Sequence, residues 1–415
     1  MQLTFLMIVR PEIFNRLKMH KFSFLLFVVF FACVDISAQI TDTIAPKVTI
    51  GVHPNIETYF IAERLAVQHI DTYVFTQKDS LYAHQPMVYF TYKHFKKYVN
   101  TACILRISEL LLFLRDNFHD NAQTIEYLLF QKSFPEKGER YPFKDSAVLN
   151  LDKLPKTMAI VKELTDSLLS FYNFAKVDEY LKQNASYYRG ALREVKKDIR
   201  KDIFPFMEKY YGEQFSRYTI YIMPMMPITV GEDNYRAFGP TLHFPEGRVS
   251  VMVFSSSKML ALPSSLRALP AYGFDNHEIT HFLTVHEIGH SFVNPHMSSM
   301  KKEIDRDTAL FTQAWQKILQ PSYIWSWENC VVEHLVRLGE IRIALAMKDT
   351  TEANRLRNLH IKDFKFVLLP LLEKKIETYE AHRDHYPNFN SFLPELFKVF
   401  HSLTPDVINK LVSSL

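Results

Sequence analysis

Glycine is scarce in this chain, with ten residues among 415, and cysteine numbers three. So few glycines leave no GxGxxG, no GxxxxGKS/T and no GxSxG, which removes support for dinucleotide-binding, P-loop and serine-elbow chemistries. A large excess of charge of one sign is lacking as well. The formal net charge of +4 is small for this length and argues against a dedicated nucleic-acid binder. Internal repeats and low-complexity segments are absent. What remains is an ordinary globular composition, 47% hydrophobic and 23% charged, rich in Phe and Tyr and long enough for two or three packed subdomains.

Residues 1–38 read as an export signal. Lys21 precedes an apolar run from Phe22 to Ala32, and Ile36-Ser37-Ala38 supplies a cleavage site ahead of Gln39. Met19 is a more typical start for such a signal than Met1. The run is too short for a comfortable bilayer span, so the mature chain is expected to be exported, periplasmic or extracellular, with no stable membrane span. Lipid attachment at Cys33 is the rival reading, and Phe30 and Phe31 ahead of Ala32 fit it poorly. Cleavage would remove Arg10, Arg16, Lys18 and Lys21 with Glu12 and Asp35, bringing the balance closer to neutral. Cys103 and Cys330 would remain, either to pair or to stay as buried thiols.

The mature chain divides into a mainly helical region at 39–215, a region at 216–348 that holds the chemistry, and a helical C-terminal region at 349–415. Lys47–Val52 predicts a short strand and Ile56–Val67 an amphipathic helix, with His53-Pro54-Asn55 as punctuation. Helical periodicity runs through Met87–Phe130 and Lys156–Tyr211, around a polar loop at 134–155. The charged run Glu194–Asp202 reads as a solvated face. Arg217–Met225 and Arg248–Ser255 are β-rich, with a turn-rich segment, Gly231–Gly247, between them. Strand and loop here read either as an edge to which an extended peptide could add by main-chain hydrogen bonds or as a structural hairpin with a long loop. Ile324–Met347 is apolar nearly all round and should be buried. The segment 350–415 is helical, with Pro370, Pro387 and Pro394 marking breaks.

The chemistry concentrates in Asp275–His296, DNHEITHFLTVHEIGHSFVNPH. On a helix, His286 and His290 lie one above the other and can both reach one Zn²⁺, with Glu287 beside the metal-bound water as general base. Asp275 with Glu278 matches a capping box, the apolar stripe from Ile279 to Val293 includes both histidines, and Pro295 predicts a stop at or before Asn294. His281 falls off the ligand face.

A catalytic zinc site commonly has three protein ligands and an open position. His296 has the spacing of the pattern HExxHxxGxxH, but Val293 stands where that pattern needs glycine, and Pro295 also departs from it. Glu333 is the better partner. It lies on the buried helix with Arg337 and Glu340 on the same face, and buried charges must be paired or bind a metal. Arg337 would orient that carboxylate. Glu328 precedes the apolar tract and is the weaker choice. Tyr235, Tyr272 and Arg337 are candidate donors to the oxyanion, and Asn294 a candidate partner for an imidazole.

Four stretches carry a family resemblance: VTIGVHPNIETYFIAERLA at Val48–Ala66, YKHFKKY at Tyr92–Tyr98, HEIGHSFVNP at His286–Pro295 and EHLVR at Glu333–Arg337. The chain resembles a family of secreted bacterial proteins known only as a domain of unknown function and grouped with gluzincin-like metallopeptidases. The resemblance implies zinc ligands at His286, His290 and Glu333 with Glu287 catalytic, and it brings no substrate. The expected fold is α+β and zincin-like, a small sheet packed on the HExxH helix with mostly helical segments before and after. The expected function is zinc-dependent hydrolysis of a peptide or protein substrate. Two rivals stand beside it: an exported binding or scaffold protein on the same fold, and a hydrolase of cell-wall peptides. Nothing in the sequence specifies the oligomeric state.

Overall fold

Short runs of β-branched and aromatic residues build a small open sheet. The computed structural model describes residues 40–71, 78–118, 121–140, 155–231 and 233–414. The export signal, Met19, Cys33 and residues 141–154 of the expected loop lie outside the described residues. The strands are β1 (Thr41–Ala45), β2 (Val48–Gly51), β3 (Arg217–Ile222), β4 (Ala237–Phe238), β5 (Thr241–Phe244) and β6 (Gly247–Phe254). Their order is β1-β2-β3-β6-β4, with β5 also paired to β6. β2, β3 and β6 are parallel, while β1 pairs antiparallel with β2, and β4 and β5 pair antiparallel with β6.

Parallel neighbours need long crossovers; the one from β2 to β3 is helical, whereas the one from β3 to β6 runs through β4 and β5. Between β2 and β3 run α1 (Pro54–Ala66), α2 (Pro86–Phe95), α3 (Ala102–Phe118), α4 (Ala122–Phe130), α5 (Pro155–Phe174), α6 (Val177–Gln183), α7 (Ala185–Asp198) and α8 (Ile203–Tyr211). After the sheet come α9 (His277–Met297), α10 (Lys301–Arg306), α11 (Gln313–Leu319), α12 (Trp327–Ala346) and α13 (Thr350–Arg357). One π-helical turn, Asn358–Asp363, leads towards α14 (Leu369–Ala381), α15 (Phe389–His401) and α16 (Pro405–Ser413). The result is a mixed α/β fold, mostly helical around a small sheet. Among the described residues no helix is long and apolar enough to cross a membrane.

The sheet has two distinct faces. Register pairs Tyr218 with Ser250 and Ile220 with Met252, and side chains alternate along each strand. Ser250 Oγ lies 2.8 Å from Ser291 Oγ of α9, so this face carries the HExxH helix. Arg217, Thr219, Val249 and Val251 fall on the other face.

Several expectations need correction. α1 is not amphipathic: all thirteen of its residues are buried. Its polar groups are satisfied inside, as where Asn55 donates to the Leu128 and Lys132 carbonyls and Tyr188 donates to Glu57. Glu194 is not on a solvated face either; it is buried and accepts the backbone N–H groups of Tyr272 and Phe274, both at 2.9 Å. The segment Gly231–Gly247 holds β4 and β5, which makes β6 an internal strand and β4 the end of the sheet. The cap of α9 is Asn276, whose side chain accepts from Ile279 N, while Asp275 faces Lys197. α9 also runs through Pro295 to Met297, because buried Val293 and Met297 and the contact of His296 with Glu213 hold its last turn. Pro394 likewise sits inside α15. Cys103 and Cys330 are both free thiols.

Candidate metal centre

α9 and α12 pack closely because glycine permits it. A Cβ at Gly289 would press on Val336 of α12, and one at Gly339 would run into Tyr211 Oη. The Tyr211 hydroxyl is buried beside the crossing and stacks its ring on Phe292 at 4.5 Å. This contact turns the face bearing His286 and His290 towards Glu333. His290 Nε2 lies 3.4 Å from Glu333 Oε1, and His286 Nε2 lies 3.7 Å from Glu333 Oε2. One ligand atom from each of the three side chains falls within 4.8 Å of the others.

A second layer of side chains holds these three. His286 Nδ1–H donates to Glu340 Oε1 at 2.7 Å, and the other oxygen of Glu340 accepts from His360 Nε2–H at 2.9 Å. His290 Nδ1–H donates to Asn294 Oδ1 at 3.2 Å. Both inner nitrogens are thereby committed, and both Nε2 atoms are left facing Glu333. This is the arrangement in which a carboxylate or carbonyl fixes the tautomer of a metal-ligating histidine. Arg337 approaches Glu333 Oε2 at 3.0 Å and stacks over the Phe366 ring at 4.4 Å. Phe282 stacks on His286 with ring centroids 5.4 Å apart.

The electrostatics follow from burial and charge together. Burial pushes the Glu287 carboxyl up to about 7, with the nearby Glu333 and Glu340 adding to the rise and His286 and Arg337 opposing it. Burial would also raise Glu333 and Glu340, but cationic neighbours outweigh it and both are held below the usual carboxylate range. For Glu333 those neighbours are Arg337, His286 and His290; for Glu340 they are His360 and His286. Burial lowers His290, which favours the neutral ring that a metal needs. For His286 the charge of Glu340 overcomes burial and the net direction is up. His360, on the same carboxylate, goes down because its burial wins. One ionised carboxylate thus favours a proton on His286 over one on His360.

The residues present fit a divalent ion. Two imidazole nitrogens and one carboxylate form a His₂Glu donor set, the kind that holds catalytic zinc. Glu333 Oε2 is buried and accepts no well-aligned hydrogen bond, its charge being met by the ion pair with Arg337, which leaves lone-pair capacity for a cation.

His286, Glu287, His290 and Glu333 come together as expected, and Arg337 and Asn294 contact them. Tyr235 packs on Phe282 at 6.0 Å, and burial raises its hydroxyl despite the opposing charge of Arg337. The other residues lie elsewhere. His296 sits six residues beyond His290 on a continuous helix, about 120° around the axis, and donates to Glu213 at 2.5 Å. Tyr272 packs against Tyr187 and Gly190, and Glu328 faces Lys301. His281 stacks with His277. Sequence reasoning gave Glu340 no role beyond its charge, although its place on the Glu333 face was a usable signal. His360 went unnoticed, and the sequence offers no spacing that would have found it.

A family model described as Domain of unknown function (DUF4932) matches residues 49–399. No curated protein and no solved structure matches the chain.

Proposed function

Because the chain belongs to the DUF4932 family, whose description names no activity, we propose its function from the site itself: an exported, zinc-dependent peptide hydrolase of zincin-like, gluzincin-like kind. The observation that carries this reading is the approach of the His286, His290 and Glu333 ligand atoms to within 4.8 Å of one another beside a buried Glu287. Those three side chains would hold the ion. Zinc, when bound, supplies Lewis-acid polarisation of the scissile carbonyl and stabilises the charge that develops on its oxygen.

The chain's own residues do the remaining work. Glu287 takes a proton from the attacking water and returns it to the leaving amine. Glu340 and Asn294 keep both Nε2 atoms in place, and Arg337 holds the Glu333 carboxylate. Tyr235 is the remaining candidate donor to the substrate oxyanion. β4 ends the sheet beside the site, and Gly239 lets the backbone after it approach Glu287, where a Cβ would strike the Glu287 carbonyl. An extended peptide substrate adds along Ala237–Phe238 by main-chain hydrogen bonds. Glu287 argues against a purely scaffolding role, since a structural ion has no need of a general base.

The test is Glu287→Gln. It should retain the zinc content of the parent, about one ion per chain, and lose about 10²–10⁴-fold in hydrolysis of a peptide library. Unchanged hydrolysis in this variant would overturn the assignment of Glu287, and a metal-free parent would overturn the reading as a whole.

A further inference from the structure

The face of the sheet turned away from α9 carries a second polar cleft. It is lined by His53, Gln131, Ser133, Arg140, Arg217 and Thr219 over an apolar floor that includes Val249 and Val251. Two guanidinium groups line this cleft, and no carboxylate does among the described residues. Among the described residues Arg217 forms no ion pair, and its Nε is buried and donates to nothing. His53 is only 4% exposed, and its Nδ1 likewise has no partner. Buried donors left without acceptors are uncommon because each forfeits its hydration. Here two unpartnered nitrogens, Arg217 Nε on β3 and His53 Nδ1 at the N-cap of α1, belong to side chains lining one cavity.

We propose that this cleft is a second binding site, distinct from the metal centre, that takes the oxyanion of a small ligand, a phosphate or a carboxylate. Arg217 donates to the anion through Nε–H, His53 through Nδ1–H in its neutral form, and Thr219 and Ser133 offer hydroxyls. Burial and the charge of Arg140 keep the His53 ring neutral, so it adds a donor without adding charge. The sheet stands between this cleft and α9, so its occupancy is measurable independently of zinc or hydrolysis.

The experiment is calorimetric titration of the mature protein with inorganic phosphate and, separately, acetate, each against chloride at matched ionic strength. Saturable binding of at least one anion is expected, weakened at least about tenfold in Arg217→Gln and less in Arg217→Lys, with zinc content unchanged. Preference for phosphate or for acetate identifies the class of ligand. His53→Phe keeps the ring and removes Nδ1, and it should weaken binding even where Arg217→Gln fails to fold. No binding beyond the chloride control, or parental affinity in the folded variants, would overturn the proposal.

Discussion

Glu340 is the carboxylate on which the proposed metal centre would depend without being one of its ligands. It is 2% exposed and joins His286 at 2.7 Å to His360 at 2.9 Å. Glu340→Gln keeps the shape and one acceptor oxygen but removes the charge that orients the His286 imidazole and makes it more basic. Loss of such a partner typically weakens metal binding 10–100-fold, about 1.4–2.7 kcal/mol. Glu340→Ala goes further, leaving His286 Nδ1 and His360 Nε2 without their carboxylate partner in the interior at a cost of about 3–5 kcal/mol in stability. The assay is zinc affinity by competition with a chromophoric chelator, run beside thermal unfolding. Glu340→Gln should bind zinc 10–100-fold more weakly with a melting temperature close to the parent, and Glu340→Ala should lose both. Parental zinc affinity in Glu340→Gln would refute the claim that this carboxylate supports the site.

Two further outcomes test the frame around the site. Gly339→Ala drives a methyl group into Tyr211 Oη and should destabilise the fold by about 1–3 kcal/mol through overpacking; adding Tyr211→Phe should recover part of that loss in urea unfolding, and no recovery would contradict the packing described. His53 is held down to about 3 by burial and the charge of Arg140, against an ordinary value of 6.5. Its folded-state value is depressed, so the unfolded chain takes the proton first; this contribution to stability is complete above pH 6.5 and is lost as pH falls towards 3. By pH 5 the loss is about 2 kcal/mol. Urea unfolding at pH 7 and pH 5 should therefore show a shallower acid loss in His53→Phe than in the parent, and equal losses would contradict a buried neutral imidazole.

Much of the site was legible because its signals are local or periodic. His286 and His290 are one helical turn apart, and the buried charge of Glu333 stood out against an apolar helix. The strand at Val48–Gly51 and the helix after it followed from β-branched residues and proline punctuation. Tertiary packing overrode local rules elsewhere. α9 continues through Pro295 because buried side chains on its last turn outweigh one missing hydrogen bond, and that continuation carries His296 away from His290. Glu194 looked like one charge in a solvated run, yet it caps backbone groups of the segment before α9, a partner far away in sequence. β4 and β5 are too short to show a period. His360 reaches Glu340 from a π-helical turn, and no sequence spacing announces that meeting. The resemblance to a family of unknown function was borne out over residues 49–399, while a gluzincin-like activity is proposed from the site alone.

The central claim is that zinc is held by His286, His290 and Glu333, with the third ligand coming from α12 rather than from the end of α9. Zinc content of purified parent, Glu333→Ala and His296→Ala proteins, measured by plasma mass spectrometry after gentle purification, tests it most directly. The account predicts about one zinc per chain in the parent and in His296→Ala, and loss of the metal in Glu333→Ala. A metal-free parent, or zinc retained in Glu333→Ala and lost in His296→Ala, would contradict it.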